Sequence, residues 1–364
     1  MRIPVVLATG DTVLAFAEGR LGAIYHPKTG CDDGSGPGLW MRRSSNRGRS
    51  FGPSRVIAND TDPWHAALHD GVVLGSAVQE RGTGAIFVFY TTCYHACSSR
   101  GVSAGTFFIR SDTQGLTWSQ PTNLTSLLLE RRLFMMQFGE GLGVQLAPSA
   151  RSAAGRLLVC GHFNTDPSHG WAGIVCLGSD DSGKTWVRVC PIVSPRGCLA
   201  SSDRCCQQRV QGTLPGKLNE VGVATMRNGS ILLNMRSGAD VHARIQSRSD
   251  DGGSTFVEPW EVASLPDPVC NGGLATLADG TIALSHDATA TSRSNMSLFL
   301  STSDGNTWDS GRVLWRDASA YSTLTPLSRV RGGTTAPQEV AVLYERGAGE
   351  AQRYANVTLA VLAA

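Results

Sequence analysis

One eight-residue stretch occurs five times in this chain, and nothing else in the sequence limits the fold as strongly. Its fullest copy is Ser179-Asp180-Asp181-Ser182-Gly183-Lys184-Thr185-Trp186. Asp, Ser and Gly supply turn chemistry, and Thr185-Trp186 open a strand. A second copy is 249–256 (SDDGGSTF), and looser ones are 44–51 (SSNRGRSF), 111–118 (SDTQGLTW) and 301–308 (STSDGNTW). The starts at 44, 111, 179, 249 and 301 lie 67, 68, 70 and 52 residues apart. A recurring interval of this kind marks a repeat architecture.

A short strand signal precedes each copy: 12–17 (TVLAFA), 86–90 (IFVFY), 156–160 (RLLVC), 230–234 (SILLN) and 281–285 (TIALS). Each follows a glycine: Gly10, Gly84, Gly155, Gly229 or Gly280. The unit therefore reads strand, loop, strand, Asp-rich turn, strand. Helical periodicity is confined to 127–137 (LLLERRLFMMQ). Four short strands repeated around an axis make a β-propeller blade. Five Asp-rich turns require at least five blades. The tail strand 355–359 (ANVTL) has no such turn and brings the expectation to six. The predicted fold is thus an all-β, six-bladed propeller of four-stranded antiparallel blades, one domain over 1–364. An antiparallel sandwich explains the alternation but not the period.

The bulk numbers exclude several functions. With 364 residues, 41% hydrophobic, the chain can bury a large core. A formal net charge of +2 favours neither nucleic acid nor a membrane surface as partner. No apolar run reaches the length of a spanning helix. The ten cysteines include Cys93-x3-Cys97 and a cluster from Cys190 to Cys206. Histidines at zinc-site spacing are missing, so no metal or other cofactor is expected, and disulfides in an oxidising compartment are the better reading. Sequons at Asn59, Asn123, Asn228, Asn295 and Asn356 point the same way, although the chain opens Met1-Arg2-Ile3-Pro4 without an apolar signal segment.

The repeated turns are poor candidates for chemistry. Where Asp181 and Asp251 stand in two copies, the others carry Asn46, Thr113 and Ser303. A structural corner tolerates that exchange; a shared reaction does not. Four arginines stand out instead: Arg2 before an apolar strand, Arg20 ending AFAEGR, Arg236 ending LNMRS, and Arg293 in SRSNMS. A single arginine is ordinarily a solvated side chain. Several at strand ends of a propeller can converge on the central mouth, where the planar guanidinium suits a carboxylate.

Arg-Ile-Pro near the start, AFAEGR, and several turns of the type S-x-D-x-G-x-T-W resemble the sialidase (neuraminidase) family, glycoside hydrolase family 33. The resemblance covers nearly the whole chain. It is strongest toward the animal lysosomal branch, through IFVFYTTC, GRLLVCGH, AYSTL and VLYERG. It implies that Arg2, Arg236 and Arg293 grip a sialic acid carboxylate and that Arg20 contacts substrate. Asp33, with Asp32 adjacent, matches the acid/base aspartate. Tyr321 in AYSTL matches the nucleophile, Glu220 in LNEVGV its paired glutamate, and Glu345 in LYERG the residue that orients the first arginine. Either Asp70 or Asp62 matches a further pocket aspartate. The family usually has a strand before Arg-Ile-Pro, so the propeller is expected to lack an N-terminal strand.

The implied activity is an exo-α-sialidase acting with retention through a glycosyl-tyrosine intermediate. Its partners would be sialylated glycans on glycoproteins, gangliosides and oligosaccharides, in the lysosome or outside the cell; a homo-oligomer is compatible with this. A trans-sialidase and a non-catalytic sialic-acid-binding propeller are the alternatives. Binding alone does not require Asp33, Glu220 and Tyr321 together.

Overall fold

The computed structural model describes residues 1–19, 25–26, 30–31, 38–59, 71–92, 105–129, 135–147, 153–164, 173–189, 192–193, 218–238, 241–327 and 338–364. Strands dominate them. The first sheet runs β1 (Arg2–Thr9), β2 (Thr12–Glu18), β5 (Gly38–Ser44), β6 (Arg55–Asn59), with a two-residue pair β3 (Tyr25–His26) and β4 (Gly30–Cys31) between β2 and β5 in sequence. The second contains β7 (Val72–Gln79), β8 (Ile86–Thr92), β9 (Gly105–Ser111) and β10 (Thr122–Asn123). In the third, β11 (Met135–Phe138) and β12 (Val144–Gln145) both lie along β13 (Leu157–Asn164). There β14 (Gly173–Ser179) follows β13 and carries β15 (Val187–Arg188) and β16 (Ile192–Val193) on its far side. The fourth contains β17 (Val221–Thr225), β18 (Ile231–Met235), β19 (Ala243–Ser249) and β20 (Trp260–Pro266). The last contains β21 (Gly273–Thr276), β22 (Ile282–Asp287), β23 (Ser294–Ser301), β24 (Arg312–Leu327), β25 (Glu339–Arg346) and β26 (Asn356–Ala363).

The described residues thus form a propeller of five blades, not the six expected, and two of its sheets have six strands rather than four. The difference lies in β24. Up to Ala318 it pairs with β23, and from Ser319 onward it pairs with β25. One 16-residue strand therefore runs out of one pairing and into the next without a break. The tail strands join the fifth sheet instead of standing as a blade of their own. The run 127–137 is corrected as well. A five-residue helix α1 (Thr125–Leu129) occupies its start, but Met135–Phe138 is strand β11, held by β13. Pairing to a neighbour decided the fate of an apolar run whose spacing fits helix or strand.

The repeated stretch begins at the last residue of the third strand in each blade and is a hydrogen-bonded corner. In all five copies the first serine accepts from the backbone N–H four residues on, for example Gly183 to Ser179 at 2.8 Å. The third position then accepts from the seventh or its backbone. Asp181 takes Thr185 N at 2.8 Å, and Asn46, Thr113 and Ser303 serve equally, at 2.9, 2.9 and 2.8 Å. Any short oxygen-bearing side chain satisfies this geometry, which accounts for the exchange of Asp at that position.

The closing aromatic packs against the core between neighbouring blades. Trp186 lies 5.8 Å from Phe87 and 4.8 Å from Phe89, both of β8. Gly183, at φ 82°, brings the turn so close that a Cβ there would lie 2.2 Å from the Phe87 ring. Full burial of one such apolar side chain contributes about 1.5–3 kcal/mol. The ring is sealed where β1 meets β24: Val6 N donates to Thr323 Oγ1 at 3.0 Å and Ala8 N to Thr325 Oγ1 at 3.1 Å.

Candidate active site

The register of the fourth sheet separates the corners from the arginines. Val221 pairs with Met235, and Met235 with Ile245, at one end; Thr225, Ile231 and Ser249 align at the other, where the corner begins. Glu220 and Arg236 flank the first end. Arg2 opens β1, Arg293 immediately precedes β23, and Glu345 lies near the end of β25. Tyr321 follows the point where β24 changes partner. These six side chains meet. Arg20, Asp33, Asp62 and Asp70 lie outside the described residues.

Glu345 is fully buried and holds one corner of the site. Arg2 Nε donates to its Oε1 at 2.7 Å and Arg2 Nη2 to its Oε2 at 3.3 Å. The same carboxylate accepts Ile3 N at 3.0 Å and Tyr321 N at 3.3 Å. Ile3 adopts φ 55°, a strained value for a β-branched residue, beside a bulge in β1 between Arg2 and Val5. Such strain costs about 1–3 kcal/mol and survives only where surrounding bonds over-determine it. Burial pulls the Arg2 guanidinium down, but Glu345 and the neighbouring tyrosines outweigh this and hold it above its ordinary value.

The other corner is a three-way contact. Tyr321 Oη donates to Glu220 Oε1 in a short hydrogen bond. Arg236 Nη1 donates to Glu220 Oε2 at 2.7 Å and to Tyr321 Oη at 3.1 Å. Burial pushes Glu220 up, yet the Arg236 charge and the bonds from Arg236 and Tyr321 bring it below the usual carboxylate range. Tyr321 moves the other way: burial raises its phenol, and the Glu220 charge adds to the rise against Arg236 and Arg293. At rest the proton therefore sits on the phenol, with an ionised carboxylate as its acceptor. Arg293 lies 5.8 Å from the Tyr321 ring and donates through Nη2 to Val269 O at 2.8 Å.

Sequence reasoning missed several groups in this region. Glu140 is buried in the glycine-rich stretch GEGLG; Gln137 Nε2 donates to its Oε1 at 2.7 Å. Burial, followed by the Glu220 charge, raises the Glu140 carboxyl well above its usual range. His162, equally buried, is pushed down to about 3 by burial and is a neutral imidazole. Cys270 is a buried free thiol raised by burial, with Arg293 opposing. Tyr354 contacts both Arg2 and Arg293. No local pattern marks any of these residues; only the glycines around Glu140 hint at close backbone approach. No group of His, Cys, Asp or Glu among the described residues could hold a metal ion.

The site can therefore bind an anion between arginines and present a phenol with its own base. A family model for the BNR repeat-like domain matches residues 19–331. The chain belongs to the BNR repeat-like family. The curated relatives to which this chain is similar are sialidases. A sialidase of Micromonospora viridifaciens is 29% identical over 388 residues, spanning 99% of this chain and 52% of the relative. Human Sialidase-4 is 27% identical over 297 residues, spanning 75% of this chain and 53% of the relative. The chain thus spans about half the length of these curated relatives. The solved structure of the Hadza microbial sialidase Hz136 superposes with a TM-score of 0.76 at 22% identity, covering 100% of this chain and 65% of that one; it shows the shared fold.

Proposed function

We propose that this protein is an exo-α-sialidase that hydrolyses terminal α-linked sialic acid with retention, through a glycosyl-tyrosine intermediate. The observation that carries the reading is the contact of Tyr321, Glu220 and Arg236, with Arg2 and Arg293 beside it. A sialoside bears an ionised carboxylate on the carbon that is attacked. An Asp or Glu nucleophile would meet that charge with its own; at 4 Å and an effective dielectric near 20 the repulsion is about 4 kcal/mol. A neutral phenol escapes it, and sialidases are the tyrosine exception among glycosidases. The ionised Glu220 takes the phenol proton as Tyr321 Oη forms its bond to the anomeric carbon. The leaving oxygen is protonated by the residue in the acid/base role, assigned to Asp33 from the sequence match. The same residue then deprotonates the water that displaces Tyr321, and the proton on Glu220 returns to the phenol. Two displacements give net retention.

The substrates proposed are sialylated glycans on glycoproteins, gangliosides and oligosaccharides. A lysosomal or secretory compartment belongs to the proposal; the disulfide of Cys160 and Cys176 supports an oxidising environment. Hydrolysis of a fluorogenic α-sialoside by wild type and Tyr321→Phe tests the mechanism. The Phe variant is expected to lose at least about 10³-fold in kcat/KM. An inert wild type or a fully active Phe variant refutes it. Sialyl-lactose appearing when lactose is added would assign transfer rather than hydrolysis.

A further inference from the structure

Tyr354 follows the single helical turn Glu350–Gln352 between β25 and β26, and no step above uses it. Its ring carries the Arg2 guanidinium on its face, with Cζ 3.5 Å from the ring centroid. Its hydroxyl accepts from Arg293 Nη1 at 3.1 Å. One side chain thus joins two cations that come from the start of the chain and from the approach to β23. The chemistry of the joint matters. Arg293 forms no ion pair with a carboxylate among the described residues; its hydrogen bonds go to the Tyr354 hydroxyl and the Val269 carbonyl. An acidic partner would orient a guanidinium and also neutralise it. A phenol orients without neutralising, and an aromatic face stabilises a cation without a countercharge.

We propose that Tyr354 is a positioning residue for anion recognition: it sets the spacing of Arg2 and Arg293 and orients both for an incoming carboxylate, Arg2 beside its Glu345 countercharge and Arg293 without adding one. The choice of carboxylate rests on the sialoside reading; the positioning itself does not. Two variants divide the role. Tyr354→Phe keeps the ring and removes the acceptor for Arg293. Tyr354→Leu removes both.

The test has a ligand arm and a ligand-free arm. The ligands are a 2,3-unsaturated sialic acid and its methyl ester, titrated by calorimetry. The Phe variant is expected to bind the acid about 10-fold more weakly through loss of one hydrogen bond to a cation. The Leu variant is expected to lose about 100-fold, as the cation–π contact goes too. Affinity for the neutral ester stays within twofold in both, and KM rises more than kcat falls. In the ligand-free protein, the Arg2 side-chain Nε–H resonance, shielded by the ring, shifts in Tyr354→Leu and stays in place in Tyr354→Phe. Equal losses for acid and ester, or no shift of the Arg2 resonance in the Leu variant, overturn the proposal. A wild type that cleaves no sialoside while the Arg2 resonance shifts as stated would sink the functional reading and leave the positioning role standing.

Discussion

Glu345 offers the sharpest test of how the site is held. Its carboxylate accepts four donors, from Arg2 Nε and Nη2 and from the backbone of Ile3 and Tyr321. Both charged partners are buried, with side-chain exposures of 5% and 0%. In Glu345→Leu, Arg2 keeps its charge and loses its countercharge. Removing one member of a buried pair costs about 3–5 kcal/mol. The two orphaned backbone N–H groups belong to the same penalty, since each carries a desolvation cost of about 1–3 kcal/mol. The loss is a large share of a typical stability of about 5–15 kcal/mol. The double variant Arg2→Met/Glu345→Leu separates the terms. It removes the stranded charge and leaves only the backbone groups unpaired, so it should be more stable than the single variant by about 2–4 kcal/mol. Urea unfolding followed by tryptophan fluorescence reads the stability. Sialoside hydrolysis should be lost in both, because the double variant restores the fold without the cation. A double variant no more stable than Glu345→Leu would refute the view that Glu345 serves chiefly to compensate Arg2.

Two further outcomes are expected. Asp287 is buried, accepts Ser319 Oγ at 2.5 Å, and is pushed up to about 8 by burial against the pull of Ser319 and Arg293. Its folded value exceeds its unfolded one, so its contribution is fully present at acid pH and is lost as pH rises toward 8. Between pH 5 and 8 the wild type should therefore lose stability relative to Asp287→Asn, by at most about 1.4 kcal/mol per pH unit; parallel urea midpoints for the two proteins would contradict this. The disulfide of Cys160 and Cys176 links directly paired residues of β13 and β14 across a sequence separation of 16. Replacing both with alanine should lower the unfolding free energy by about 3 kcal/mol, from the loop it no longer closes, and an unchanged denaturation midpoint would count against that.

Legibility in the sequence followed the range of the interactions. The corners were readable because Ser179, Asp181, Gly183 and Thr185 bond to one another within seven consecutive residues from the strand end. The strand starts were readable because a glycine at positive φ precedes each: Gly10, Gly84, Gly155, Gly229 and Gly280. The blade count failed where breakers are missing. No glycine falls between Arg312 and Leu327, and the first proline is Pro326, so nothing in that run ends the strand where its partner changes. The site depends on side chains remote in sequence. Tyr321 and Glu220 are 101 residues apart, and no local pattern brings them together. The family resemblance named them; bare periodicity would not have. Tyr354 and Glu140 lacked even that, because stacking under an arginine and burial beside an ionised glutamate leave no trace in spacing.

The seam at β1 has a consequence for biosynthesis. Arg2 is made 343 residues before Glu345, which holds it, and Tyr354, which stacks on it, is made later still. Thr323 and Thr325, which receive the backbone of β1, are each made 317 residues after the residue they bind. A ribosome-bound chain that has not yet released β25 has every other arginine of the site but cannot fix the first. Anion binding should therefore switch on only after Glu345 and Tyr354 emerge, so that carboxylate affinity in stalled translation products reads the moment at which the ring shuts.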